Sequence, residues 1–226
     1  RVVLSCALIV WENRFPQKRI LGGAIVAELY LIRHGETEPS DDLVFHGQGD
    51  APLSAKGRLE AERLRDALRN VGLLCVYTSP LARARDTADI ISTEGSLSCH
   101  TDNAFIDMDF GDWTGLADKE VAERFPDAHA SWNHRPGDAR IPNGESLEDV
   151  RQRVLPRFRE IARTFAGARV AIVTHAVVLR VLLCSVRGLG LDTFCSQQVD
   201  AGSVTVCAIE GGVVRITREN STDHLK

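Results

Sequence analysis

Short apolar runs, each followed at a distance by an amphipathic stretch, set the pattern of the chain from residue 29 onward. Residues 29–32, 73–77 and 169–174 are rich in leucine, isoleucine and valine, which is typical of strands buried on both faces of a sheet. Beyond each run, apolar residues recur at helical spacing. Strands that alternate with helices predict an α/β protein, a three-layer α/β/α sandwich around a mostly parallel central sheet.

The same pattern gives approximate bounds for the remaining elements. Ser54 and Ser146 stand where N-cap residues are expected, ahead of amphipathic stretches. Gly211-Gly212 separates two alternating runs and predicts a C-terminal hairpin. Helices are predicted at 54–70, 81–91, 146–165 and 177–186, a weak strand at 98–101, and hairpin strands at 203–209 and 213–217.

Histidines follow two of the predicted strands at the edge where these strands end. Arg33-His34-Gly35-Glu36 comes directly after the first run, and His175 directly after the run 169–174. Open α/β proteins bind ligands at this edge. A neutral histidine there can use one ring nitrogen as a nucleophile while the other donates to a carbonyl, and an arginine fork can bind an oxyanion. The pair points to phosphoryl transfer, but a histidine in such a position is more often structural, so the interpretation depends on further motifs.

Those motifs follow in chain order. Arg83 falls in the first turn of the helix after the second run, and Asp107 lies among aromatic residues. Together the motifs resemble the histidine phosphatase superfamily, in the branch that contains cofactor-dependent phosphoglycerate mutases and related phosphatases. The resemblance extends from about residue 29 to residue 224. The segments that carry it are 31–37, 50–54, 79–88, 110–113, 143–146 and 173–175.

The resemblance implies a phosphoglycerate mutase-like fold and a role for each motif residue. His34 becomes phosphohistidine, Arg33 and Arg83 bind the phosphate, His175 completes the pocket, and Asp107 is the acid/base carboxylate. These roles agree with the chemistry, because a transferring phosphoryl group needs positive charge around its oxygens. A carboxyl group must also protonate the leaving oxygen and then activate water.

The chain departs from the family pattern at several of these positions. Asp107 stands where the family usually has glutamate, so either the backbone compensates for the missing methylene or Asp109 contributes. Ser40 replaces a common asparagine, and its shorter side chain is expected to weaken a phosphate contact. His46-Gly47 stands where glutamine-glycine is common. Ser40, His46 and Gly47 are accordingly expected to bind substrate, and no reacting group is lost.

These residues predict a phosphomonoesterase that acts on small phosphorylated metabolites and needs no cofactor. Histidine, cysteine and acidic residues show no metal-ligand spacing, so no metal is expected. The alternatives are an α-ribazole 5′-phosphate phosphatase, then a phosphoglycerate mutase, then a non-catalytic phosphate-binding relative. Residues 104–145, the cap region, are expected either to cover the pocket and contact the rest of the substrate, as in relatives, or to be a loop whose tryptophans pack on the core.

Composition narrows the class of protein and its partners. The 226 residues are 44% hydrophobic and 26% charged, enough for one α/β domain with a full core. The net charge is −4 without a basic stripe, so a small phosphate ester rather than nucleic acid is the expected partner. Six cysteines without Cys-x-x-Cys spacing favour free thiols and a cytoplasmic location. The oligomeric state is left open, a homodimer included.

The first 28 residues are expected to lie outside this domain, which is assigned to residues 29–226. Residues 2–11 are apolar but too few to span a membrane. Met108 is the sole methionine, so we expect upstream translated sequence or a fragment, with Val26 as a start. Residues 1–26 are then expected to be poorly ordered.

Overall fold

The computed structural model describes residues 20–21, 24–38, 44–93 and 97–226. Seven strands are found in this part of the chain. They are β1 (Ile20–Leu21), β2 (Ala24–Arg33), β3 (Cys75–Thr78), β4 (Ser98–Thr101), β5 (Arg169–Thr174), β6 (Val204–Glu210) and β7 (Val213–Ser221).

Six of these strands form the central sheet, in the order β4-β3-β5-β2-β6-β7. β4, β3, β5 and β2 pair in parallel, whereas β6 runs antiparallel to both of its neighbours. The predicted mostly parallel sheet and its C-terminal hairpin are therefore confirmed. The short β1 pairs antiparallel with the start of β2.

Helices connect the strands close to the predicted positions. Ser54 caps the first helix by accepting from the Gly57 N–H, and Ser146 caps the fifth by accepting from the Asp149 N–H. Six α-helices are found among the described residues: α1 (Ala55–Leu68), α2 (Ala82–Ser92), α3 (Asp118–Arg124), α4 (Pro126–His134), α5 (Leu147–Thr164) and α6 (Ala176–Val186). Within the described residues, every helix is too short or too polar to cross a bilayer.

The core lies on both faces of the sheet, which makes the fold a three-layer sandwich. Side chains of a strand alternate between the two faces, and the buried residues separate accordingly. Leu29, Leu31, Val170 and Ile172 join the cluster that contains the apolar faces of α5 and α6. Ile32, Ala171 and Val173 join the cluster that contains those of α1 and α2. The predicted architecture is confirmed.

The first long strand starts earlier than the sequence indicated. β2 begins at Ala24, and Val26 and Ala27 pair with Glu210 and Ile209 of β6. The antiparallel ladder continues upstream of residue 29 because β6 supplies partners for these residues. Residues 24–28 therefore belong to the sheet. The expectation that residues 1–26 are poorly ordered concerns mostly residues that the structure does not describe.

The cap region consists of short elements held by aromatic packing. It holds two 3₁₀ turns (Asn103–Phe105 and Gly111–Trp113) and the helices α3 and α4. Trp113 is fully buried, and its ring centroid lies 5.2 Å from that of Phe45 and 6.2 Å from that of Trp132. Both tryptophans belong to the core cluster beside α5 and α6, and contact between this region and a substrate stays a prediction.

Candidate active site

The candidate site lies at the carboxyl edge of the sheet, where three parallel strands end side by side. His34 follows β2, Ser79 follows β3 and His175 follows β5. The His34 N–H donates to the Thr174 carbonyl at 3.0 Å, and the Ser79 N–H donates to the Val173 carbonyl at 3.0 Å. Strand register therefore brings these three side chains together although they are far apart in the sequence.

The turn after His34 packs directly on the first turn of α1, with a glycine on each side of the contact. A Cβ added at Gly35 would lie 2.5 Å from the Gly57 carbonyl oxygen, and one added at Gly57 would lie 2.0 Å from the Glu36 carbonyl oxygen. Both distances are far below van der Waals contact, so only glycine permits this approach of two backbones. The approach fixes the peptide group that receives a hydrogen bond from the His34 ring.

The His34 ring is held in one neutral form. Its Nδ1 lies 2.7 Å from the Gly35 carbonyl oxygen. A carbonyl oxygen can only accept, so Nδ1 carries the proton and Nε2 keeps its lone pair. Burial, followed by the positive charges of Arg83 and Arg33, lowers the pKa of His34 well below its usual value. This histidine therefore has the protonation state that a nitrogen nucleophile needs.

His175 packs against His34 and is fully buried. The two ring centroids are 5.1 Å apart. His175 Nδ1 accepts from Arg83 Nε at 3.2 Å, and its Nε2 lies 2.7 Å from Ser79 Oγ. A guanidinium can only donate, so the His175 proton is on Nε2 and is shared with the serine. Burial, with the neighbouring His34 and Arg83, keeps the pKa of His175 well below its usual value.

Arg83 connects the parts of the site. It lies in the first turn of α2, is buried, and donates four hydrogen bonds. Besides Nε to His175, its Nη1 donates to the Gly49 carbonyl at 2.7 Å and its Nη2 to the Gly47 carbonyl at 2.8 Å. Nη2 also contacts Asp107 Oδ2 at 3.1 Å. The guanidinium is therefore fixed in place before any ligand arrives.

Asp107 is the buried carboxylate of this group. Its Oδ1 accepts from the Met108 N–H at 2.9 Å, while its Oδ2 accepts from Arg83. Burial raises the pKa of Asp107 above its usual value, although Arg83 and the Met108 N–H act in the opposite direction. A carboxyl group in this environment holds its proton to a higher pH than an exposed aspartate does, which suits a general acid.

An ion pair behind this carboxylate holds the backbone that carries it. Arg153 of α5 binds Glu145 through two contacts, Nε to Oε1 at 2.8 Å and Nη2 to Oε2 at 3.0 Å. Its remaining bonds run to three backbone carbonyl oxygens at 2.8–3.1 Å, those of Ala104, Ile106 and Asp107. The hydrogen bonds of Arg153, a residue of α5, therefore fix the path of the backbone through Asp107.

Asp109, the alternative carboxylate, has a different role in the structure. Its Oδ1 accepts from the Gly111 N–H at 2.8 Å, and its backbone N–H donates to Glu145 Oε2 at 2.9 Å. These bonds shape the turn that follows Asp109.

A cleft of about 720 Å³ opens over these groups. Arg33, at its edge, donates from Nη1 to the Val199 carbonyl at 2.9 Å. Ser40 lies outside the described residues, so its substrate contact stays a prediction. The predicted residues that line the cleft are Arg33, His34, His46, Gly47, Arg83 and Asp107. In the described part of the chain, no group of three or more His, Cys, Asp or Glu side chains is arranged to hold a metal ion.

Sequence reasoning assigned no role to four residues that shape the site: Ser79, Glu145, Arg153 and Arg180. Ser79 and Glu145 lie in motifs that carried the family resemblance, so their place in these motifs could have indicated a role in the site. Arg153 gave none, because the backbone carbonyls that it binds are 46 to 49 residues away in sequence. Arg180 is the one charged residue of the otherwise apolar helix α6, and a lone charge in such a helix is a signal that it faces a cleft.

The likeness to known proteins extends over most of the chain. The family model of the histidine phosphatase superfamily (branch 1) matches residues 29–222. Phosphoserine phosphatase 1 of Hydrogenobacter thermophilus is 31% identical over 200 residues, which cover 88% of this chain and 95% of that protein.

Solved structures show the same fold. YhfR of Bacillus stearothermophilus superposes with a TM-score of 0.85 at 33% identity, covering 88% of this chain and 100% of that one. The alpha-ribazole phosphatase of Shigella flexneri superposes with a TM-score of 0.79 at 27% identity, covering 86% and 96%. The sheet order and the helical layers described above are therefore those of an established fold.

Proposed function

Because this chain belongs to branch 1 of the histidine phosphatase superfamily, we propose that it hydrolyses small phosphate monoesters through a phosphohistidine formed on His34. One observation carries the proposal: a neutral histidine lines the cleft with Nδ1 donating to the Gly35 carbonyl and Nε2 holding a lone pair. Two arginines and a buried carboxyl group lie beside it.

In the first step, Nε2 of His34 attacks phosphorus and the bond from phosphorus to the ester oxygen breaks. Asp107 gives its proton to the leaving oxygen, so an alcohol departs. The imidazole becomes a phosphohistidine that is still protonated on Nδ1, and the Gly35 carbonyl stabilises that charge. Arg33 and Arg83 supply positive charge to the phosphoryl oxygens.

In the second step, the Asp107 carboxylate takes a proton from water as the water oxygen attacks phosphorus. The bond between phosphorus and Nε2 breaks, phosphate leaves, and both His34 and Asp107 return to their starting forms. Arg83 serves both steps. A guanidinium has five N–H donors and the four bonds within the protein leave one, on Nη1, for a phosphoryl oxygen.

The relatives suggest which esters to consider. The likeness to phosphoserine phosphatase 1 covers 88% of this chain and 95% of that protein, and it supports phosphoserine as a first candidate. The likeness to the Shigella flexneri enzyme favours α-ribazole 5′-phosphate as a second candidate. The presence of all reacting groups argues against a non-catalytic relative.

A panel assay tests the proposed function. Phosphoserine, α-ribazole 5′-phosphate, 3-phosphoglycerate and p-nitrophenyl phosphate should be incubated with the purified protein in the presence of a chelator. We expect release of inorganic phosphate that the chelator does not reduce. Vanadate, which adopts the trigonal-bipyramidal form of the transferring group, should inhibit far more strongly than phosphate.

Two outcomes would contradict this function. The first is no phosphate release from any of the esters. The second is conversion of 3-phosphoglycerate to 2-phosphoglycerate faster than phosphate is released, which would make the chain a mutase.

The Glu145–Arg153 pair gives a further expectation about Asp107. Arg153→Ala removes the bonds to the backbone around Asp107, so the carboxyl group should be displaced from the leaving oxygen. We expect kcat on an alkyl phosphate to fall by up to about 10²-fold, since a small misplacement of a reacting group has this effect. Steady-state kinetics on phosphoserine would measure it.

The control for Arg153→Ala is Arg151→Ala, on the same helix. Arg151 pairs with Glu148 within α5, so its loss should leave kcat near that of the unchanged protein. On p-nitrophenyl phosphate, whose leaving group needs little protonation, Arg153→Ala should lose less than on the alkyl ester. Equal losses on both esters would show that Arg153 supports the fold and does not act through Asp107.

A further inference from the structure

Arg180 is a cleft residue whose charge the described part of the protein does not neutralise. It lies on α6 and lines the same cleft as His34. Its Nε is buried without a hydrogen-bond partner, and no ion pair is formed with it among the described residues. Its guanidinium carbon lies 5.4 Å from the centroid of the Phe194 ring. A buried donor without an acceptor is costly, and a ligand can remove that cost.

The other charged side chains of the cleft wall have partners within the protein. Each acid is bound by a cation, by a histidine ring or by amide donors, and each other cation contacts an acid or a carbonyl. The pairs are Lys56 with Glu36, Arg83 with Asp107, Asp118 with His129, Arg33 with the Val199 carbonyl, and Asp200 with Gln198 and Asn220. Arg180 is therefore positioned to receive a negative charge from outside the chain.

The position of Arg180 on α6 determines how far its side chain lies from the histidines of the reacting centre. His175 caps α6, and Arg180 comes five residues later, about 7.5 Å along the helix axis at 1.5 Å per residue. Long side chains on a helix lean toward its N-terminus, which here is the end beside His34. A guanidinium on this wall can therefore reach the far end of a small ester whose phosphate contacts His34.

The residues around the Arg180 guanidinium indicate which chemical group of a substrate it can bind. The guanidinium lies over Phe194, whose ring centroid is 5.5 Å from that of Trp132. An aromatic wall of this kind excludes water and strengthens a charge-assisted hydrogen bond. One uncompensated cation matches one negative charge, and a guanidinium matches the planar fork of a carboxylate. A second phosphate, with about two negative charges, would need a further cation, but Arg33 and Arg83 are assigned to the transferring phosphate and Lys56 is paired with Glu36.

We propose that Arg180 binds a carboxylate of the substrate, so that the preferred substrates are phosphate monoesters of small carboxylic acids. This proposal rests on the phosphatase function proposed above and deepens it. It assigns the recognition of the organic part of the ester to a residue outside the group that transfers phosphate.

Two esters that differ only in the carboxylate test this proposal. O-Phosphoserine carries the carboxylate and O-phosphoethanolamine lacks it, while the amine and the phosphate are the same. The unchanged protein should favour phosphoserine in kcat/KM. In Arg180→Met, kcat/KM for phosphoserine should fall about 10- to 100-fold, as expected for a lost hydrogen bond between charged groups, and kcat/KM for phosphoethanolamine should stay within about threefold.

The control is Arg187→Met. Arg187 caps the other end of α6 and contacts Gln197 and Glu219, so its removal should not change the ratio between the two esters. Arg180→Lys should keep part of the preference, because a point charge remains without the fork.

The outcomes separate this proposal from the phosphatase function. If p-nitrophenyl phosphate and both test esters are not hydrolysed, the phosphatase function fails and this proposal fails with it. If they are hydrolysed but the unchanged protein shows no preference for phosphoserine, the proposal alone is wrong, whether or not Arg180→Met folds. Equal losses on both esters in a folded Arg180→Met would likewise overturn it. A preference for bisphosphorylated esters that Arg180→Met abolishes would identify phosphate as the bound group and overturn the assignment of a carboxylate.

Discussion

His34→Asn should reduce kcat on every phosphate ester by about 10⁴- to 10⁶-fold, the range seen when a nucleophile is removed from an enzyme. The asparagine amide can take the place of the Nδ1–H and donate to the Gly35 carbonyl, so the local structure should be kept. What is lost is Nε2, the nitrogen proposed to attack phosphorus. Steady-state assays on p-nitrophenyl phosphate and phosphoserine would measure the loss.

The matched control is His100→Asn. His100 lies on β4 at the edge of the sheet and contacts Ser98 Oγ, so its replacement should leave kcat unchanged. Retention of more than about one hundredth of the activity in His34→Asn would be incompatible with covalent catalysis by this residue.

Asp107→Asn should slow an alkyl phosphate by about 10²- to 10⁴-fold, because the strongly basic leaving oxygen then departs without a proton. p-Nitrophenolate leaves largely unaided, so phosphorylation of His34 should be less affected with that ester. Hydrolysis of the intermediate still needs a base. The variant should therefore release a rapid burst of nitrophenol followed by a slow steady state, which stopped-flow absorbance would record.

The pH dependence of the alkyl ester gives a second measure of Asp107. The free enzyme is competent when His34 is neutral and Asp107 is protonated. The lowered pKa of His34 keeps the ring neutral into the acidic range, and the raised pKa of Asp107 keeps its proton to a higher pH than usual. As the pH rises through the Asp107 pKa, kcat/KM should fall, and in Asp107→Asn this fall should be absent.

Equal losses on alkyl and aryl esters in Asp107→Asn, without a burst, would remove Asp107 from the acid/base role. Asp109→Asn would then be the next variant to assay, although the Asp109 carboxylate is bound to the Gly111 N–H.

The position of the proposed nucleophile could be predicted because it depends on strand order alone. A histidine at the end of a buried parallel strand must lie at the carboxyl edge of the sheet, and the His34 and His175 positions follow from that rule. The resemblance added Arg83 and Asp107, which the fold brings within 3.1 Å of each other. Which ring nitrogen of His34 bears the proton could not be predicted, because it depends on the orientation of the Gly35 carbonyl.

The support of the site was not predictable from local pattern. Arg153 looks like any polar residue of an amphipathic helix, and its bonds to Ala104 and Ile106 arise only when α5 packs beside the cap region. The start of β2 was also set too late, because residues 26–28 pair with β6, far along the chain. Contacts between distant segments decide both features.

Trapping of the phosphoenzyme tests the central claim most directly. Asp107→Asn, mixed with p-nitrophenyl phosphate and quenched in alkaline denaturant during the burst, should carry one phosphoryl group that is stable to base and labile to acid. Peptide mapping by mass spectrometry should place it on His34, and the His34→Asn, Asp107→Asn double variant should carry none. A phosphoryl group on another residue, or one that persists in the double variant, would contradict a phosphohistidine at His34.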